Sequence, residues 1–557
     1  MSLYLVPPSA ASSSSSSDDA GDGEVPGDGE LMVAVRAADL VALAGAGGRS
    51  ALAVAGTARI RTGDLVAFCK IVVAAPALVR RRGQVQAQGS PCDHATLGPL
   101  EERLDAAAGH GVIDRIADGT VLRGKVKGKR KRLLTTAFVL RAIILMTLMP
   151  DADAREVLLA LAGDLALVPW ARAWRPASPR ALGDWRRAAG PEPLEELQAV
   201  VLGAAREEHD ERDWRAVVIG RLKAASADGT LVRMPDTPAN RAAFGSTGTG
   251  DDSAPFPQLR ALMLNDASTR SLLAVTHGPS GGDKAAGEQR LLDTAMEDWP
   301  HVFTMDRIWL FDRNFPGAAR IARLTARTHM LIRLKSDIRL KRASGIFPDG
   351  SYLAEISGDG VTVTVRVIEY YVNVEGQDVP EMFCLVTDLQ DWEEYPAADL
   401  AGLYRWRWDG SETALREAKS ALAGAGPSTG PMLRSKTPGL IRQELAAWAA
   451  GVEMTRGVAR DAALAAVPAR KGRRAGQPVH PREISFTAAR RAVIAAVRHG
   501  AASYALLARA LGRCRTVTDR NRHRARKAKA RPAFPGADRD TATRTAEAVI
   551  SVCNTTA

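Results

Sequence analysis

Cysteine is scarce in this chain, and the spacings that hold soft metals are missing. Its 557 residues include five cysteines (Cys69, Cys92, Cys384, Cys514 and Cys553), with no CxxC and no regular interval. That excludes a zinc ribbon or a disulfide framework and fits a reducing, cytoplasmic setting. The nine histidines form no HxxxH pair either. Long apolar runs are also lacking. The most apolar window, Leu133–Met149, is short for a bilayer span and carries Arg141 at its centre, so it reads as a buried helix and no membrane partner is expected. The opening MSLYLVPPSAASSSSSSDDAGDGE has neither the basic nor the apolar region of a secretory signal.

What is present is ordinary core material and an excess of positive charge. Hydrophobic residues make up 46% and charged residues 25%, enough for several globular domains. The formal charge of +12, with arginines gathered towards the C-terminus, favours a polyanionic partner, nucleic acid before membrane. Residues 1–94, with a serine run and an Asp/Gly/Glu stretch, read as a low-complexity, disordered extension. Residues 95–205 are helical in pattern, with a basic loop Arg123–Arg132, and suit a DNA-binding domain or an oligomerisation bundle.

The period changes at Leu222. Leu222–Met234 reads as a strand, Leu259–Leu264 and Leu272–Thr276 as a hairpin, and Asp283–Met296 as a helix. A strand Asp306–Phe311, a helix Pro316–His329 and a strand Met330–Leu334 follow, so residues 206–334 predict an α/β layer with a mixed sheet. Residues 335–390 turn strongly β, with VTVTVRVIEYYVNVEG alternating at period two. Residues 391–465 return to helix, and 466–557 read as helical with a basic tail, Arg513–Arg531.

One stretch organises the rest: Leu403–Leu422, LYRWRWDGSETALREAKSAL. Ser411, after the turn pair Asp409-Gly410, predicts an N-cap, which puts Glu412 in a first helical turn with Lys419 on nearly the same face. Taken alone this is an amphipathic surface helix. It gains chemistry from two aspartates, Asp228 on the first strand and Asp312 at the carboxyl end of the fourth. Two aspartates and a glutamate from separated elements of one sheet fold suit two-metal phosphoryl transfer. A set of only Asp and Glu selects Mg²⁺ (or Mn²⁺) over Zn²⁺.

These residues carry a family resemblance. ADGTLVRMPDTPANRAAFG (Ala227–Gly245), FDRNFPG (Phe311–Gly317), LYRWRWDGSETALREAK (Leu403–Lys419) and LRSKTP (Leu433–Pro438) resemble the insertion sequence 4 family of DDE transposases. The likeness runs from about residue 95 to the tail. It implies an RNase H-like catalytic domain interrupted by an all-β insertion, flanked by a helical N-terminal domain and a helical, basic C-terminal region. It implies Asp228, Asp312 and Glu412 as the triad for two Mg²⁺ or Mn²⁺ ions. The family's Y-x2-R-x3-E-x6-K signature maps onto Tyr404, Arg407, Glu412 and Lys419, with one residue more than usual between Arg407 and Glu412 and Arg405 as a rival for the arginine. Tyr404, Arg407, Lys419, Arg434 and Lys436 become candidate DNA contacts. The implied partners are the element's terminal inverted repeats and target DNA, bound by a homodimer in a bacterial, nucleoid-associated setting. The rival readings are a structure-specific nuclease of the same fold and a non-catalytic element remnant acting as a repressor.

If the tail Arg513–Arg531 lies on phosphates, deleting it should flatten the dependence of log affinity on log salt. Fluorescence anisotropy across a salt series checks this, and an unchanged slope removes the tail from the interface.

Overall fold

The computed structural model describes residues 4–5, 31–34, 58–60, 95–123, 134–162, 177–211, 218–248, 253–281, 284–335, 337–374, 381–422, 431–468, 476–499, 504–515 and 548–552. Most of the basic loop Arg123–Arg132 and of the tail Arg513–Arg531 lies outside the described residues. The chain divides into two units, Met1–Ser90 and Pro91–Ala557. The first contains β1 (Tyr4–Leu5), β2 (Leu31–Ala34) and β3 (Ala58–Ile60), paired antiparallel in that order.

Among the described residues the second unit opens with six helices: α1 (Pro99–Ala108), α2 (Val112–Gly119), α3 (Thr136–Leu148), α4 (Ala154–Ala162), α5 (Pro179–Ala189) and α6 (Glu192–Glu211). Thr135 caps α3 by accepting from Phe138 N, and Ser178 caps α5 by accepting from Ala181 N. Nearly every side chain of α3 is buried, as its unbroken hydrophobicity requires. Its one charge, Arg141, is neutralised in place: Nε donates to Glu101 at 3.0 Å, and Nη1 and Nη2 donate to Asp114 at 2.9 and 2.8 Å. Burial works against that guanidinium, but the two carboxylates outweigh it and raise its pKa.

The sheet then builds outwards from its first long strand. β4 (Val218–Ile219) pairs with β5 (Leu222–Arg233), and α7 (Pro238–Phe244) follows. β6 (Gln258–Asp266) and β7 (Leu272–Pro279) extend it antiparallel on one side. After α8 (Lys284–Asp298), β8 (Arg307–Phe311) joins the other side of β5 in parallel. After α9 (Ala318–Thr325), β9 (His329–Arg333) lies parallel to β8. The core order is β7-β6-β5-β8-β9. β6 and β8 are buried at every position, the pattern of strands covered on both faces.

The same sheet continues antiparallel from β9 into β13, β12, β11 and β10. These are β10 (Lys341–Ile346), β11 (Tyr352–Gly358), β12 (Val361–Val374) and β13 (Glu381–Thr387). His329 and Asp388 clasp the junction, Nδ1 to Oδ2 at 2.6 Å, while Met330 N donates to Asp388 Oδ1. α10 (Ala397–Tyr404) and α11 (Ala414–Lys419) come next. α12 (Pro438–Ala465), α13 (Phe486–His499) and α14 (Tyr504–Leu511) follow, and β14 (Ala548–Val552) pairs with β12. Among the described residues no helix is long and apolar enough to cross a membrane.

α12 joins the sheet to the helical bundle. Its apolar residues enter the bundle core (Ala447, Ala450, Met454, Val458) and the core beneath β6 and β7 (Leu445, Trp448, Val452). Its buried charges are all engaged. Glu453 Oε2 accepts from Leu272 N at 2.6 Å, and Oε1 binds Arg460. Arg460 also donates to Ser271 and pairs with Glu208 of α6 at 3.4 Å.

Glu453→Ala should cost about 3–5 kcal/mol, because it strands Arg460 in the core and leaves Leu272 N without its acceptor. Arg442→Ala, which breaks a half-exposed pair with Glu195, should cost at most about 1 kcal/mol. Urea midpoints of the two variants measure the difference.

Candidate active site

Parallel pairing brings the two aspartates together. On β5 and β8, Lys223 faces Arg307 and Ser226 faces Leu310. Two residues further along each strand come Asp228 and Asp312, on adjacent strands about 4.8 Å apart. Asp228 is in the strand interior, opposite Met263, and not in a turn. Asp312 follows the last residue of β8 and accepts from Asn314 N at 2.8 Å. Burial raises the Asp228 carboxyl above its ordinary range, and the neighbouring Asp312 charge adds to this. Arg407, the Gly229 N–H and Lys419 pull the other way.

The Glu412 segment departs from the capped helix read in the sequence. Ser411 is not an N-cap and Glu412 is not in a first turn. The chain continues from α10 through Arg407 into a π-turn, Trp408–Thr413, and on into α11. Gly410 lies inside that run and is not among the glycines of positive φ, so Asp409-Gly410 breaks nothing. Ser411 turns its hydroxyl inward and donates to Arg407 O at 2.7 Å, a local bond that supplies a carbonyl the wider turn leaves short of its usual partner. The additional residue between Arg407 and Glu412 sits within this stretch.

Arg407 faces the aspartates. It is buried, its charge acts on Asp228, and its Nη2 lies 3.5 Å from Glu412 Oε1. The rival Arg405 is on the exposed side of the helix. Lys419 is half-buried and its charge also reaches Asp228. Glu417 points elsewhere, accepting from Arg270 Nη1 at 2.8 Å with Arg456 4.0 Å away. Among the described residues, no three carboxylate, histidine or cysteine side chains close into a metal-sized cluster. Asp228 and Asp312 are neighbours, while Glu412 leans on Arg407.

Two candidate DNA contacts are engaged inside the protein. Tyr404 is buried, its hydroxyl donates to Phe311 O at 3.0 Å, and burial pushes its pKa up to about 12. It therefore steadies the end of β8, one residue before Asp312. Arg434 donates through Nη1 to Ala152 O at 2.6 Å and through Nη2 to Met146 O, at the end of α3 and the loop beyond it. Its neighbours complete a joint: Ser435 N and Oγ donate to Glu444, and Asn240 Nδ2 donates to Pro235 O and Ser435 O. The two longest motifs, around Asn240 and Ser435, are thus knitted to each other. Lys436 is exposed, and its carbonyl accepts from Thr237.

The sequence reading overlooked Glu288. It is buried on α8 against Gly229, where a Cβ would stand 2.6 Å from its Oε1. Its Oε1 lies 3.7 Å from Arg260, and its Oε2 lies 3.5 Å from Asn314 Nδ2. Glu288 thus lies behind β5, on the face opposite the Asp228 side chain, and is linked to Asp312 through Asn314, whose Nδ2 is also 3.5 Å from Asp312 Oδ2. No motif spacing signalled it, because it comes from the helix behind the strands.

Comparison with known proteins places the chain among similar sequences. The family model for the transposase DDE domain matches residues 221–425, the span that holds Asp228, Asp312 and Glu412. The chain is 24% identical over 241 residues to the transposase InsG for insertion sequence element IS4 of Escherichia coli (strain K12). That alignment covers 40% of this chain and 49% of the relative, so the chain spans about half the length of the curated relative it matches. The motif resemblance to the insertion sequence 4 family of DDE transposases therefore stands. A solved piggyBac transposase synaptic complex with hairpin DNA overlaps 72% of this chain and 80% of its own, at 13% identity and a TM-score of 0.36.

Tyr404→Phe should lower stability by about 1–3 kcal/mol, because Phe311 O loses its buried donor, and should leave DNA affinity unchanged. Thermal unfolding and anisotropy together check it, and a large loss of affinity at unchanged stability would return Tyr404 to the DNA.

Proposed function

We propose that the chain is an insertion-sequence DNA transposase that cleaves element ends and joins the freed 3′-hydroxyl to target DNA. The carrying observation is the parallel register of β5 and β8, which brings Asp228, inside β5, beside Asp312, just past the end of β8, with the Glu412 turn packed against β5. The strand order β7-β6-β5-β8-β9, three antiparallel strands then two parallel to the first, supports an RNase H-like core.

The residues present fit a hard cation. Asp228 is a half-buried carboxyl beside a second carboxylate, an arrangement that is costly without positive charge and suited to Mg²⁺ or Mn²⁺. Asp228, Asp312 and Glu412 would hold two ions. When bound, these supply Lewis-acid stabilisation to the attacking and leaving oxygens. The protein's own groups do the positioning. Tyr404 fixes the backbone that presents Asp312, and Asn314 orients its carboxylate. Arg407 holds Glu412, and Arg407 with Lys419 offers positive charge to a scissile phosphate. Lys436, exposed beyond the joint, is available to the DNA backbone. A homodimer on paired ends completes the reading.

Purified protein incubated with end oligonucleotides and Mg²⁺ should give nicked ends and, with target DNA, joined products. Glu412→Gln should abolish both while leaving end binding intact. Glu417→Gln should keep both and lose stability, since it removes the charge that faces buried Arg270 and Arg456. Cleavage without joining would favour the nuclease reading. Binding without Mg²⁺-dependent chemistry would favour the repressor reading.

A further inference from the structure

An ordinary α-helix advances about 100° per residue, so residues five apart lie about 140° from each other. Arg407 and Glu412 are five apart, yet their side chains meet at 3.5 Å. The π-turn Trp408–Thr413 accounts for this, because i→i+5 bonding stacks residues five apart on one side. Such a turn needs outside support. Part comes from Ser411, whose hydroxyl donates to Arg407 O. The rest comes from the sheet: a Cβ at Gly410 would stand 2.6 Å from Ala267 Cα, 2.7 Å from Ser226 Oγ and 2.8 Å from Ala267 Cβ. One of those atoms is backbone and cannot swing aside. Ser226 is two residues before Asp228 and so on the same face of β5. The bare Cα of Gly410 is therefore pressed onto the strand immediately before the aspartate.

We infer that Gly410, seated in the π-turn against Ser226 and Ala267, is the positioning residue that sets Glu412 over the aspartate pair. The inference rests on the reading of Glu412 as a metal ligand. Gly410 touches no substrate and acts through the backbone. A side chain there lifts the turn off the sheet, turns Glu412 away from Arg407 and takes the third carboxylate from the site. The other helical glycine nearby, Gly402 of α10, has no atom within 4 Å of where a Cβ would stand, so the same substitution there meets no obstacle.

The test compares Gly410→Ala, Gly402→Ala and Glu412→Gln in the full chain. Mn²⁺ affinity is read by electron paramagnetic resonance of the free ion, alongside end binding and Mg²⁺-dependent end cleavage. Gly402→Ala should stay within twofold of the unaltered protein in all three. Gly410→Ala should lose at least tenfold in Mn²⁺ affinity and at least 100-fold in cleavage, with end binding kept within threefold. A folded Gly410→Ala whose Mn²⁺ affinity and cleavage match Gly402→Ala overturns the inference. Should Gly410→Ala fail to fold, Ser226→Thr decides, because it crowds the same contact from the strand side and leaves the π-turn sequence intact. It should lose at least tenfold in Mn²⁺ affinity with end binding kept. A Ser226→Thr protein that matches Gly402→Ala in Mn²⁺ affinity and cleavage overturns the inference. Glu412→Gln separates the two levels. If it keeps Mn²⁺ affinity and cleavage, the assignment of Glu412 itself fails. If it loses both while Gly410→Ala does not, only the role of Gly410 fails.

Discussion

The buried charges of α12 hold the structure in register. Glu453, Arg456 and Arg460 are almost fully buried on one helix, where each ion would be strongly unfavourable unless its partners were fixed. Those partners come from the sheet, from α11 and from α6. Leu272 N opens β7, Ser271 lies just before it, Asn265 is at the end of β6, Ala414 O and Glu417 are on α11, and Glu208 is on α6. Burial lowers the Arg456 pKa, and the neighbouring glutamates oppose that shift. A network of this kind adds little net stability over an apolar core, but it penalises every other arrangement of the same elements. The helix that presents Glu412 is thus clamped from behind, with Trp448 also donating to Ala418 O.

With that clamp in place, the position of Glu412 depends on the front of the helix. α11 is held on α12, and Gly410 is held on the strand of Asp228. The π-turn between them takes up the remaining residue. The same economy governs the charges. Burial and Asp312 destabilise the Asp228 carboxylate, and Arg407 offsets them. Arg407 also contacts Glu412, so a single cation is shared between two acidic groups. An arginine keeps its charge at any working pH, which makes it a permanent local counter-charge whose strength does not vary with the solution.

The sequence made the sheet legible because strands announce themselves over short distances. Leu222–Met234 was readable as β5, and the hairpin and the strand ending at Phe311 fell within three residues of β6, β7 and β8. Once those strands were placed, Asp228 and Asp312 followed. The helix of Glu412 was less legible. Ser411 after Asp-Gly has the composition of a cap, and nothing in a one-dimensional pattern shows that Gly410 meets Ala267 through space. Glu288 was invisible for a related reason. It reaches the site from α8 across the sheet, and its sign is the bare Cα of Gly229, a residue that looks like half of a turn.

The internal engagement of Arg434 shows how motif chemistry and motif geometry can diverge. In a basic chain, an Arg-Ser-Lys-Thr run beside the site suggests a phosphate grip. Yet Arg434 spends its guanidinium on two carbonyls, at Met146 and Ala152. Ser435 is buried on Glu444, and Met432 forms a parallel bridge with Arg233 at the end of β5. Leu433 N donates to Arg233 O, and Arg186 of α5 donates to Ser435. Together these contacts join the helical domain, the sheet and α12 at one point. Carbonyls at the end of a buried helix need donors, and a guanidinium reaches two of them at once. The residues that make this motif hard to meet by chance are therefore the ones that dock the helical domain onto the strand of Asp228, leaving Lys436 and Thr437 turned to solvent.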